Sequence, residues 1–284
     1  MPHFPSSAQT LLDQLKQDTT SGATQLALAT LRNLQTWTDE HHPSAGETAV
    51  VLTALAEARP SMVVIGNALE SVRSRLKSNH NNAGPIISEQ IQLLENASQD
   101  MARHARSRIP EGATVMTHSA SSAVLALFED MVRANHRFSV ICTQSSPGME
   151  GHTLARRLDT LRVPVTLITD AQMGLFVPQA DVIVTGCDCW LADHYFVNKS
   201  GTLLLALAAS HFQKPFWVLA DSFRDSNKTH DTVNLEELPA REMTAPEGEF
   251  ITARNIYFET IPETLITGRI SEQGVFSYPA GPGR

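Results

Sequence analysis

From Thr114 onward, short runs of β-branched and aromatic residues alternate with helix-length segments, and nothing else in the sequence restricts the fold as much. Thr114–Met116, Phe138–Cys142, Val165–Ile168, Val182–Val184, Phe216–Leu219 and Ile256–Phe258 have the composition and length of strands. Ser122–Ala134, Gly151–Leu161 and Thr202–His211 carry helical patterns between them. This alternation joins parallel strands through right-handed crossovers, so the half is predicted to be a parallel α/β sheet. In the doubly wound order 3-2-1-4-5-6 the first and fourth strands are neighbours, and a crevice opens beyond their C-terminal ends. That order brings Thr117-His118-Ser119 beside Cys187-Asp188. The polar stretch from Asp221 to Phe250 breaks the alternation, and a loop of that length is expected to be a lid, an interface or disordered.

The preceding part has a different texture. Leu31, Leu34 and Trp37 follow Ala27 at helical spacing, Leu52, Leu55 and Ala56 do the same, and a third helix is predicted to run to Ala105. Breaks are expected at His41-His42-Pro43, at Arg59-Pro60 and across Asn79–Pro85. Residues 1–108 are therefore predicted to form an all-helical domain, and 109–284 a Rossmann-like ligand-binding domain.

Composition narrows the function. A net charge of −8 without a basic run argues against direct nucleic-acid binding and against an anionic membrane surface. No apolar run approaches the length of a membrane span, and the start has no secretory pattern. Three cysteines fit no paired disulfide framework, so a reducing cytoplasm is the expected compartment. Cys187-x-Cys189 with a distant Cys142 falls short of a zinc site and reads as small buried packing.

The segment Gly186–Thr202 carries the most chemistry. It leaves the Val182–Val184 strand and enters the apolar helical run Leu203–Ala209, delivering Asp188, Asn198 and Lys199 to a strand end and a helix start. Backbone N–H groups at a helix N-terminus hold anions, which points to a sugar phosphate or a similar small anion. A lysine at that end of the helix dipole is unfavourable unless an anionic ligand faces it.

Thr117-His118-Ser119, Cys142-Thr143-Gln144-Ser145-Ser146-Pro147 and Gly186–Thr202 resemble, in order and spacing, one superfamily. It holds the alpha, beta and delta subunits of eukaryotic translation initiation factor 2B, methylthioribose-1-phosphate isomerase and archaeal ribose-1,5-bisphosphate isomerase. Its pattern runs T-H-C, T-E-S-R-P, then G-A-D/E followed by N-G and N-K-x-G-T. Ser21-Gly22-Ala23 is similar to its R-G-A element, and Arg59-Pro60-Ser61 to R-P-T. The resemblance implies a helical domain followed by a Rossmann-like one, a homodimer, a small phosphorylated ligand and no cofactor. It implies catalytic positions at Asp188 and Ser119, with ligand contacts from Gly22, Ala23, His118, Ser145, Ser146, Asn198 and Lys199.

Several departures bear on activity. In the isomerases the cysteine of T-H-C and the aspartate of G-A-D move a proton between the anomeric carbon and its neighbour. Here Ser119 replaces the cysteine, and a serine hydroxyl needs a neighbouring base to lose its proton. Ser119, Ser121 or Ser122 can alternatively cap the following helix. Ser146 and Ser21 replace arginines that would grip phosphate bidentately. His194 replaces the glycine of N-G and either narrows the pocket or adds a donor. Two functions follow: a cofactor-independent aldose–ketose isomerase of a small sugar phosphate, or a non-catalytic regulatory or assembly subunit that binds a sugar phosphate or nucleotide.

Overall fold

The computed structural model describes residues 3–18, 22–78 and 83–278. Its contacts divide the chain into two units, 1–98 and 99–284. The first is helical, and its helices are α1 (Gln9–Gln17), α2 (Ala23–His41), α3 (Ala45–Ala58), α4 (Val63–Ser78) and the start of α5 (Ala83–Arg106). Leu26, Leu31, Leu34 and Trp37 of α2 recur every three or four residues, and all are buried. Helix α2 stops where His42 turns left-handed at φ 46°. Helix α3 opens on a reciprocal cap: Ser44 Oγ accepts from the Glu47 N–H, and the Glu47 carboxylate accepts from the Ser44 N–H. Both α2 and α3 pack on α4.

The second unit is built on a seven-stranded sheet. In chain order its elements are β1 (Ala113–Thr117), α6 (Ser122–Arg133), β2 (Phe138–Thr143), α7 (Glu150–Thr160), β3 (Val165–Ile168), α8 (Met173–Phe176) and β4 (Val182–Thr185). There follow β5 (Cys189–Trp190), β6 (Tyr195–Lys199), α9 (Thr202–His211), β7 (Phe216–Leu219), β8 (Phe258–Pro262), β9 (Gly268–Ser271) and β10 (Gly274–Ser277). The sheet order is β10-β9-β7-β4-β1-β2-β3. Every pairing is parallel except that of β9 with β10. Both faces of the central strands are covered, so their side chains are apolar on both sides. One layer holds Val115, Val140, Val182 and Leu219 with Phe128 and Leu154, and the other holds Met116, Ile141, Ile183 and Val218 with Leu205 and Phe216.

This is a mixed α/β architecture with the expected 3-2-1-4-5-6 order, but the sixth strand is not the one expected. Ile256–Phe258 contributes only Phe258 to a strand, and that strand, β8, lies in a separate antiparallel sheet of order β5-β6-β8. The sixth parallel position belongs to Gly268–Ser271. Arg269 interrupts its apolar run and uses its guanidinium to hold the Ala220 and Asp221 carbonyls. Hairpin β5–β6 is inserted between β4 and α9, and β8 pairs along its full length with β6, placing Glu259 opposite Asn198. The polar stretch after Asp221 is stitched to this small sheet: the Ser226 N–H donates to the Trp190 carbonyl, and the Ala192 N–H to that of Lys228. Among the described residues, no helix is long and apolar enough to cross a membrane.

Candidate functional site

The parallel register places the C-terminal ends of β1 and β4 side by side, Met116 opposite Ile183. The loops that follow them are in contact, as the strand order required. A Cβ on Gly186 would lie 2.2 Å from Ser121 Oγ, so only glycine lets the two turns close. Ser121 is the N-cap of α6, yet its side chain makes no capping hydrogen bond.

His118 is the hub of a buried polar chain. Its Nε2 donates to the Ser200 carbonyl at 2.8 Å, which leaves Nδ1 to accept the Thr143 hydroxyl at 2.6 Å. Thr143 Oγ1 is 3.0 Å from Ser145 Oγ, and that oxygen accepts the Ser119 N–H at 2.8 Å. Burial pushes the imidazole pKa below its ordinary value, against the opposing pull of the Ser200 carbonyl and Asp170. Burial thus favours the neutral imidazole, and both ring nitrogens are engaged by protein groups, Thr143 on one side and Ser200 on the other. Gly201, at φ 106°, lets it approach, since a Cβ there would stand 2.8 Å from Nε2.

Ser119 and Ser145, in the loops that follow β1 and β2, have left-handed backbones, φ 66° and 63°, uncommon for residues with a Cβ. The turn at Ser145 aims two backbone N–H groups into one concavity. Asp170 fills it, one oxygen 2.9 Å from Ser145 N and the other 2.7 Å from Ser146 N. Ser146 itself is exposed.

The hairpin supplies the other side. The Asp188 N–H donates to the Val197 carbonyl, closing the hairpin so that Asp188 enters it where Asn198 and Lys199 leave. Asp188 is partly buried. Burial raises its carboxyl from 3.8 to about 6; Arg224 and Lys199 work against that rise, and Glu150 adds to it. Asn198 donates to Thr202 Oγ1 at 2.9 Å. Lys199 is 3% exposed; its Nζ lies 2.9 Å from Glu150 Oε1 and 3.2 Å from the centre of the Tyr257 ring. The Tyr257 hydroxyl donates to the same Glu150 oxygen. Burial lowers the Lys199 pKa, while Glu150, Asp170 and Glu242 hold it up.

The anion seat expected at the start of α9 is occupied from within. Glu259 Oε1 accepts the Gly201 N–H at 2.7 Å and the Leu203 N–H at 2.8 Å, acting as a carboxylate cap for the helix. His194 stands away from Asp188, at the exposed hairpin tip, 3.1 Å from Glu263. Trp190 and Phe196 stack on each other at 5.4 Å as part of the core. All three cysteines are buried, and burial pushes Cys142 up to about 11. Among the described residues, no group of three or more His, Cys, Asp or Glu is placed to hold a metal. In the helical unit Gly22 is the N-cap of α2 and Ala23 its first residue, and Ser21 lies outside the described residues.

Sequence reasoning missed five residues here: Glu150, Asp170, Arg224, Tyr257 and Glu259. Asp170 and Arg224 follow the ends of β3 and β7, where the strand-end rule would have directed attention. Glu150 stands four residues past Ser146, in the first turn of α7. Tyr257, just before β8, and Glu259, within it, are distant in sequence and leave no local signal.

Comparison with known proteins agrees with this architecture. A profile of the initiation factor 2 subunit family matches residues 19–278. A Pyrococcus horikoshii protein described as "putative translation initiation factor eIF-2B subunit 2-like" is 32% identical over 283 residues, covering 97% of this chain and 98% of the relative. A ribose 1,5-bisphosphate isomerase of Archaeoglobus fulgidus is 34% identical over 249 residues, covering 83% and 76% respectively. The crystal structure of a Pyrococcus horikoshii translation initiation factor eIF-2B superposes with a TM-score of 0.81 at 28% identity, covering 97% of this chain and 98% of that one. The chain therefore belongs to the initiation factor 2 subunit family.

Proposed function

We propose that this chain binds a small phosphorylated molecule, a sugar phosphate or a nucleotide, at the recess of Asp188, Asn198 and Lys199, and serves as a regulatory or assembly subunit without turning the ligand over. The observation that carries this reading is the commitment of His118. Proton abstraction by Ser119 requires a base within reach. The adjacent imidazole is buried, which favours its neutral form, with one nitrogen donating to Ser200 and the other accepting from Thr143. Binding remains served by Lys199 and Arg224, whose charges act on Asp188. Ser145 and Ser146 are proposed to complete the ligand contacts, in a homodimeric, cytoplasmic protein. The relatives named as initiation factor subunits support the assembly role.

A second reading is favoured by Asp188 itself. A carboxyl raised to about 6 is suited to giving and taking protons near neutral pH, as an aldose–ketose isomerase requires. One experiment separates the two. Purified protein is incubated with pentose monophosphates in deuterated water; thermal shift reports binding, and NMR follows deuterium uptake at the carbon next to the carbonyl. Stabilisation without exchange is the expected result. Exchange with product formation, lost in Asp188→Asn, would establish the isomerase and overturn the non-catalytic reading. An absence of any stabilisation would remove the binding proposal.

A further inference from the structure

Three features at this edge of the sheet offer positive potential, and each is met by a carboxylate of the same chain, though not in the same way. Glu259 is fixed in the β6–β8 ladder and takes two N–H groups of the α9 start. Asp170 uses both oxygens, one for each N–H of the Ser145–Ser146 turn. Glu150 uses only Oε1, which takes both the Lys199 ammonium and the Tyr257 hydroxyl. Its Oε2 is buried with no hydrogen-bond partner. A buried acceptor left unsatisfied is costly, so of the three carboxylates Glu150 is the one whose departure from its seat costs least.

What Glu150 leaves behind is a buried ammonium over an aromatic face. An ammonium has three donors and Glu150 engages one, so an anion with more oxygens makes more bonds there than the carboxylate it replaces. A carboxylate ligand offers Lys199 nothing that Glu150 does not already supply, and Glu150 is tethered at high effective concentration.

We infer that Glu150 is a built-in competitor for the ligand's anion at Lys199, a specificity-determining residue that admits phosphoryl groups and turns away carboxylates such as sugar acids. This rests on the reading of the Asp188–Lys199 recess as a phosphate-ester site. Asp170 and Glu242, which also act on Lys199, add to the repulsion that an incoming anion must overcome.

Calorimetric titration of the full chain with ribose 5-phosphate and with ribonate tests the inference. Wild type takes the phosphate and not the acid. Glu150→Gln takes the phosphate at least about tenfold more tightly, a factor worth about 1.4 kcal/mol, and gains measurable ribonate binding. Tyr257→Phe, which removes only the hydroxyl holding Glu150, shifts both in the same direction and serves if the glutamine variant folds poorly by circular dichroism. Lys199→Met, added to Glu150→Gln, loses both ligands. Unchanged or weaker phosphate binding in Glu150→Gln and Tyr257→Phe would overturn the inference and leave the binding proposal intact, with Glu150 a direct ligand contact. Binding by Glu150→Gln but not by wild type would uphold the competitor while defeating the proposal that wild type binds this ligand. No binding by any form would defeat both.

Discussion

Replacing Asp188 with asparagine removes a charge that the fold holds at a disadvantage, and the size of that disadvantage can be worked out. The carboxyl rises from 3.8 to about 6, chiefly through burial. At about 1.36 kcal/mol per pH unit this is about 3 kcal/mol in full. Because the folded-state value is raised, the stabilising contribution of the protonated group is complete below the unfolded value and is lost as pH rises through about 6. Integrating the two titrations puts roughly half of the loss between pH 5 and pH 8. Asp188 is partly open to solvent, so screening brings the measured figure below that. Asparagine does not titrate, so the stability of Asp188→Asn relative to wild type should climb by about 1 kcal/mol from pH 5 to pH 8. That corresponds to a melting temperature that gains about 2–4 °C on wild type over the interval. Differential scanning calorimetry at four pH values, with both proteins in the same buffers, measures it. A difference that stays flat with pH, or that shrinks as pH rises, would refute the claim that burial dominates the environment of Asp188.

Three other outcomes follow from the geometry. Gly201→Ala should cost well over the ~1 kcal/mol expected of Gly112→Ala: both glycines have positive φ, but only at Gly201 does the new Cβ strike a side chain, that of His118. Denaturant titration of the two variants compares them. Glu259→Ala strips the cap from α9 and should lower stability by about 1–2 kcal/mol in the same assay, with Glu259→Gln in between. Cys142, raised to about 11 by burial, should be about one part in a thousand thiolate at pH 8, so alkylation of the native protein should spare it while the urea-unfolded chain reacts fully.

The parts of this molecule legible in its sequence are those governed by local pattern. Strands buried on both faces, such as Val182–Thr185 and Phe216–Leu219, declare themselves because that burial demands near-continuous hydrophobicity. The strand order then predicted that the loops after Thr117 and Thr185 would touch, and the contact of Gly186 with Ser121 is the result. Gly268–Ser271 escaped because Arg269 serves the neighbouring loop carbonyls, a duty that cancels the strand signal. Likewise the N–H groups of α9 looked free for a ligand, since nothing near Gly201 in sequence announces that Glu259 will arrive across a second sheet. Contacts made across 49 and 107 residues, as Lys199 and Tyr257 make to Glu150, leave no periodicity to read.

The hairpin between β4 and α9 behaves as a caliper. Its two arms end at Asp188 and Lys199, and its ladder, Cys189 against Val197 and Trp190 against Phe196, sets how far apart those ends stand. The tip lies outside the ladder, so lengthening or shortening the stretch from Ala192 to His194 disturbs its bonds to Lys228, His230 and Glu263 but not the gap. Deleting one residue between Tyr195 and Lys199 is a different matter, because a single-residue slip turns every following side chain to the opposite face. Asn198 and Lys199 would exchange sides, and the amide that now meets Thr202 would be aimed at Glu150. Length variation in this protein's relatives should therefore collect at the tip and be absent from the arms.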